Sequence, residues 1–123
     1  MKPGFDPKQW HAAKVEMYAI LTRTASVLQM ITYGDLARQI KTVRFEAHDP
    51  DMWYMLGEIS EEENKAGRGL LSALVVHKGG DMEPGSGFFE IATRCGRDML
   101  NKQKCWVDEL HAVHGYWSAR AKP

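Results

Sequence analysis

The chain has little of what would place it outside ordinary folded protein. Its two cysteines, Cys95 and Cys105, are too few for a disulfide framework. With no secretory segment they read as free thiols in a reducing, cytoplasmic setting. No apolar run approaches the roughly 20 residues a membrane-spanning helix needs, so no membrane partner is expected. The opening Met-Lys-Pro-Gly-Phe-Asp-Pro lacks the apolar stretch of a signal peptide. Net charge is missing too, because 16 basic residues balance 16 acidic ones. That balance removes the global pull of a strongly basic nucleic-acid binder and leaves room only for a local basic face. Repeats and low-complexity tracts are absent.

What remains suits one small folded domain: 123 residues, 44% of them apolar, with four tryptophans to build a core. From about Lys8 to Gln29, Trp10, Ala13, Met17, Ile20, Leu21, Thr24, Val27 and Leu28 recur at steps of three and four. This spacing predicts a long amphipathic helix. The most informative stretch follows it. Thr32 is a natural N-cap and Asp35 stands where the acidic half of a capping box would be. Leu36, Ala37 and Ile40 supply the buried stripe of a short helix. Asp49 and Pro50 then announce a third helix, with Met52, Met55, Leu56 and Ile59 as its buried face and Lys65 near its end.

Residues 70–77 form a short apolar run, partly β-branched, which predicts a buried strand. The glycine-rich stretch 78–87 predicts a tight turn. Phe88, Ile91, Ala92 and Cys95 are spaced as a short helix, with a second strand from Phe88 as the competing reading. Met99, Leu100, Trp106, Leu110, Val113 and Trp117 describe a final amphipathic helix. The expected fold class is α+β: a winged-helix-like three-helix core with a small β-wing and additional C-terminal helices. Residues 1–7 are expected to be a loose arm, 8–118 a single domain, and 119–123 a frayed tail.

Reactive chemistry finds little support. Cys105, Asp108, His111 and His114 lie three apart on one predicted helix, and such steps rotate around the helix, so all four cannot converge on one ion. No metal and no cofactor are expected. Ser72 and His77 are five apart on a predicted strand, where alternation puts them on opposite faces. No catalytic residue is therefore named. Pro84-Gly85-Ser86-Gly87 is followed by no Gly-Lys-Ser/Thr, so it is not a phosphate loop. With Phe88 and Phe89 it either shapes a small pocket, for which Ser72, Gly85, Gly87 and Phe88 are the candidate residues, or forms a wing whose phenylalanines enter the core. The second is the preferred reading.

The segment Thr32-Tyr33-Gly34-Asp35-Leu36-Ala37 resembles the Thr/Ser-Tyr-Gly-x-Leu-Ala segment that opens the second helix in the DNA-binding domain of alkylguanine-DNA alkyltransferases and the non-catalytic alkyltransferase-like proteins. Aligned on glycine, Tyr54-Met55-Leu56-Gly57 falls on the family's Arg-Ala-Val-Gly-like segment. Aligned on valines, Leu71-Ser72-Ala73-Leu74-Val75-Val76 falls on its Pro-Cys-His-Arg-Val-Val segment. The resemblance spans roughly residues 17–87. It implies a winged-helix scaffold, a DNA-facing surface, and contact of Tyr33 with the DNA backbone near a flipped base. Ser72 takes the nucleophile's place, Ala73 that of its histidine, and Tyr54 that of the arginine that props open the duplex. A serine without an adjacent base is no nucleophile at neutral pH, so alkyl transfer is not expected.

The expected function is a non-catalytic binding module for DNA. Its candidate nucleic-acid-binding residues are Thr32, Tyr33, Arg38, Lys41, Arg44 and Tyr54. Against this stands the third helix, with Asp51, Glu58, Glu61, Glu62 and Glu63 facing a single Lys65, which repels phosphates along its C-terminal half. The alternatives are a protein-interaction or self-association module using that acidic helix, whose run Glu61–Glu63 reads as a solvated face, and a nucleotide or small-molecule sensor using the Gly79–Phe89 turn.

Overall fold

A computed structural model describes residues 5–46, 49–78 and 83–121. Five helices and one pair of very short strands follow in the order α1 (Pro7–Ser26), β1 (Ile31–Thr32), α2 (Tyr33–Gln39), α3 (Pro50–Lys65), β2 (Val75–Val76), α4 (Ser86–Arg94) and α5 (Lys102–Ala121). The strands pair in parallel, Ile31 with Val75 and Thr32 with Val76. The class is α+β in this loose, mostly helical sense. The small sheet is a parallel pair rather than a hairpin, and the centre of the expected wing, Gly79–Met82, lies outside the described residues. No helix among the described residues is long and apolar enough to cross a membrane.

The helix starts follow from their caps. Asp6 accepts the Lys8 amide at 2.9 Å, with Pro7 in the first turn of α1. Thr32 Oγ1 accepts the Asp35 amide at 3.2 Å, and Asp49 accepts the Asp51 amide at 3.0 Å ahead of Pro50. Each such cap contributes on the order of 1 kcal/mol. The capping box at Thr32 is only half formed, because the Asp35 carboxylate pairs with Arg38 one turn on. Two chain-end expectations shift. The supposed arm is ordered from Phe5, whose ring packs edge-on against Trp10 at 4.9 Å, and α5 continues through Ala121 into the supposed tail. Met99 and Leu100 precede α5, and Leu100 is 95% exposed.

The apolar run 70–77 folds differently from the strand expected. Leu71–Leu74 make a 3-10 turn and only Val75 and Val76 extend. A strand would alternate its side chains between two faces. Here every residue from Leu70 to Val76 is buried, wedged among α1, α3 and α5, and a tight turn lets side chains radiate into all three. The turn is held by the Ser72 amide donating to Ser60 Oγ at 3.0 Å and by Trp106 Nε1 donating to the Ala73 carbonyl at 2.9 Å. One core cluster joins α1, α2, α3 and this turn around Met17, Leu36, Met52, Met55 and Leu74. A second joins Leu70, Ala73 and Val76 to Phe88, Ile91 and Trp106. Phe88 is buried in this second cluster.

Three helices end in the same way. After α1, α3 and α4, one amide bonds back five residues and its predecessor three: Gln29 to Thr24 and Leu28 to Ala25, Arg68 to Glu63 and Gly67 to Asn64, Arg97 to Ala92 and Gly96 to Thr93. This closure needs a left-handed residue. Gly67 and Gly96 supply it at φ 75° and 83°, but α1 uses Leu28 at φ 60°. Leu28 was expected on the buried face of α1; the helix stops at Ser26 and leaves it 61% exposed. Leu28→Gly is therefore expected to raise stability by about 1 kcal/mol, because a left-handed Cβ costs that much and little packing is lost. Thermal unfolding followed by circular dichroism reads it as a rise of roughly 4 °C. A fall in melting temperature would contradict the account.

Candidate nucleic-acid interface

Two helix faces create a cavity of about 390 Å³. On α3, Pro50, Trp53, Tyr54, Gly57, Glu58 and Glu61 recur at helical spacing; on α4, Gly87, Glu90, Ile91 and Arg94 do the same. Tyr33 and Ser72 complete the lining from α2 and the 3-10 turn. Glycines set the close approach. A Cβ on Gly87 would lie 3.0 Å from the Trp53 ring, and one on Gly57 3.3 Å from the Arg94 guanidinium. Five sequence-selected residues thus meet here: Tyr33, Tyr54, Ser72, Gly87 and Phe88. Gly85 stands just behind them. A Cβ there would approach His77 Nε2 to 2.9 Å and the Tyr33 hydroxyl to 3.2 Å.

Ser72 is 3% exposed, and its hydroxyl has no hydrogen-bond partner among the described residues. Such a group costs about 1–3 kcal/mol when buried unpaired. Ser72 lies in a 3-10 turn rather than a strand, so alternation does not place it on the face opposite His77. Burial pushes the Tyr33 phenol above its ordinary value, partly offset by a hydrogen bond from the Gly85 backbone, so its hydroxyl stays a neutral donor. Burial likewise raises both thiols, Cys95 and Cys105, away from the reactive thiolate. Among the described residues no three His, Cys, Asp or Glu side chains gather as metal ligands.

A groove of about 600 Å³ adjoins the cavity, sharing Tyr33 and Trp53 with it. Thr32, Gly34, Asp35, Arg38, His77 and Lys78 form its walls. The His77 ring tilts against Tyr33, with centroids 5.3 Å apart. Of the expected basic contacts, only Arg38 borders this groove. Lys41 folds back so that its Nζ donates to the Arg38 carbonyl at 3.1 Å, and Arg44 lies 3.6 Å from Glu46 in the following loop. That loop is pinned to α1, since Glu16 accepts the Lys41 and Thr42 amides at 2.9 and 3.1 Å. Burial opposes the Glu16 charge, but the Thr42 side chain and these amides outweigh it and hold the carboxyl below its ordinary range.

The acidic stretch of α3 proves to be paired within the chain. Glu62 and Glu58 meet Lys14, Glu61 meets Arg94, and Glu63 meets Arg68. The expectation of a solvated run fails at Glu63, whose side chain is 2% exposed. Arg94, Arg97, Lys102 and Lys104, a second basic group in the sequence leading into the last helix, are engaged too: Arg94, Arg97 and Lys104 pair with Glu61, Glu109 and Asp108, and Lys102 Nζ lies 5.7 Å from the centre of the Phe89 ring. Residues not singled out for a site from the sequence include Glu90 and Ile91 of the cavity and Lys78 of the groove. The i, i+3, i+4, i+7 pattern from Gly87 to Arg94 was the available signal. Compared with family models, curated proteins and solved structures, the chain gives no significant match.

Proposed function

We propose that this protein is a non-catalytic, winged-helix-like DNA-binding module of the alkyltransferase-like kind, which holds the duplex at the groove beside α2 and receives an unstacked base in the cavity beneath Tyr33. One observation carries the reading: the cavity gathers Tyr33, Tyr54, Ser72, Gly87 and Phe88, and a groove bearing Arg38 and Lys78 opens directly beside it. A flipped base is read by ring stacking and hydrogen bonds inside a pocket, while phosphates need cations outside it. Trp53 and Tyr54 offer rings in its lining. The absence of catalysis rests on Ser72 having no hydrogen-bonded base and on both thiols being pushed toward their protonated forms. The pairing of the α3 carboxylates weakens the objection that this helix repels phosphates, and it also weakens the reading of α3 as an acidic docking face.

Salt titration tests the proposal. If Arg38, Lys41, Arg44 and Lys78 each neutralise one phosphate, the logarithm of the association constant falls against the logarithm of salt with a slope of about −3 to −4. Fluorescence anisotropy on a labelled duplex measures it. No association at low salt, or association indifferent to salt, would reject the DNA reading.

A further inference from the structure

His77 lines the groove beside α2 together with Arg38 and Lys78, and it is exposed. Its place is set from three directions. The His77 amide donates to the Glu83 carbonyl at 2.9 Å. The ring tilts against buried Tyr33, with centroids 5.3 Å apart. Gly85, the N-cap of α4, leaves room for it, since a Cβ there would lie 2.9 Å from His77 Nε2. The His114 ring, on α5, meets the Gln29 carbonyl at 2.8 Å, but neither nitrogen of the His77 ring has a hydrogen-bond or ion-pair partner among the described residues. The charged groups around His77 are few. Asp35 and Arg38 of α2 pair with each other, and Lys78 makes no ion pair among the described residues. Glu83 is exposed on the segment before Gly85. The N-terminus of α4 adds a partial positive charge at Gly85.

We propose that His77 is a phosphate-binding residue of the groove, which contacts the duplex backbone as an imidazolium and takes up its proton as the phosphate arrives. The inference rests on the part of the preceding reading that lays the duplex along this groove. An imidazolium donates from both ring nitrogens, and a phosphate oxygen is the acceptor that suits such a charged donor. Histidine changes charge between about pH 5 and 8, where arginine, lysine and carboxylates ordinarily do not. Without an anion, Lys78 and the start of α4 disfavour a further positive charge beside them. A phosphate reverses that balance, because it attracts all three. Proton uptake and phosphate binding therefore reinforce each other, and duplex binding tightens as pH falls. His11 on α1 and His111 and His114 on α5 lie outside the groove and take no part.

Anisotropy of a labelled duplex at about pH 6 and about pH 8, in the same low salt, reads the effect. The full chain is expected to bind roughly fivefold tighter at the lower pH, with a salt slope steeper by about one. His77→Gln is expected to remove the difference by binding at both values as the parent does at the higher. His77→Lys is expected to remove it the other way, binding tightly at both. A parent with equal affinity at the two values, or a His77→Gln variant that keeps the parent's pH dependence, overturns the inference. A second arm keeps it apart from the duplex reading. Histidine ring protons are followed by NMR over the same range, with and without inorganic phosphate. The titration midpoint of His77 is expected to rise by roughly a few tenths of a pH unit with phosphate, while those of His11, His111 and His114 stay in place. Duplex binding without a pH effect leaves the DNA reading standing and removes this one. A phosphate-dependent midpoint at His77 with no duplex binding keeps His77 as an anion ligand and removes the DNA reading.

Discussion

Arg68→Ala is expected to lower stability by about 3–5 kcal/mol, the usual cost of leaving a buried charge without its partner. The Glu63 side chain is 2% exposed, and Arg68 Nε lies 2.9 and 3.0 Å from its two oxygens. Tyr18 adds only a long contact, 3.3 Å from Oε1. That carboxylate, through its hydrogen bonds first and its charge next, drives the Arg68 guanidinium above its already high ordinary range, against a smaller opposing effect of burial. Alanine at position 68 leaves the backbone closure of α3 intact, because the Arg68 amide still reaches the Glu63 carbonyl. The loss therefore belongs to the stranded charge. Urea unfolding measures it as a shift in midpoint at unchanged slope. Glu63→Leu combined with Arg68→Ala removes both partners and is expected to recover most of the loss, since apolar replacement of a buried pair is often neutral. A single variant within 1 kcal/mol of the parent, on the order of a surface pair's contribution, would contradict this account of the α3 terminus.

Charge reversal of Arg38 and Arg44 together is expected to weaken duplex binding roughly 100-fold at low salt, because two phosphate attractions become repulsions. Both side chains are exposed, 73% and 92%, and their pairs with Asp35 and Glu46 lie at the surface. Surface pairs of this kind contribute little, about 0–1 kcal/mol, so the fold should survive the change. The salt slope should also fall by about two, one per lost phosphate contact. Reversal at Lys104 and Arg120 is the control. Both lie on α5, outside the cavity and the groove and not on α2 or the loop that follows it, so duplex binding should stay within about twofold. Equal losses from the two double variants would show that no particular face is used.

Much of the fold could be read from the chain because its signals were local. Thr32 and Asp49 are capping residues beside strongly periodic segments, so the starts of α2 and α3 follow from hydrogen bonds within three residues, whereas Asp6, which caps α1, falls in the stretch expected to be a loose arm. The run Leu70–Val76 was misread because an apolar stretch without period carries no information on how it turns. Its conformation is decided by Ser60, Trp106 and three surrounding helices, all distant in sequence. Glu63 was misread for the same reason: a glutamate beside Glu61 and Glu62 looks solvated until Arg68 folds back across a left-handed glycine at position 67. Leu28 shows the converse, an apolar residue that continues the period of α1 while the backbone has already left the helix.

The candidate site was legible in pieces. Tyr33 and Tyr54 came from one argument and Ser72, Gly87 and Phe88 from another, and the packing of α4 against α3 joins them in one cavity. Nothing local to either segment states that they meet. The basic residues fared less evenly, because Arg38, Lys41 and Arg44 are close in sequence while only Arg38 reaches the groove.

Backbone amide shifts in a two-dimensional nitrogen–proton NMR spectrum, recorded as a short duplex is added at low salt, test the central claim most directly. The account predicts the largest changes from Thr32 to Arg38, from Trp53 to Gly57 and from Gly85 to Phe88, with the exposed face of α5 unmoved. Changes confined to α5, or a spectrum indifferent to DNA, would contradict it.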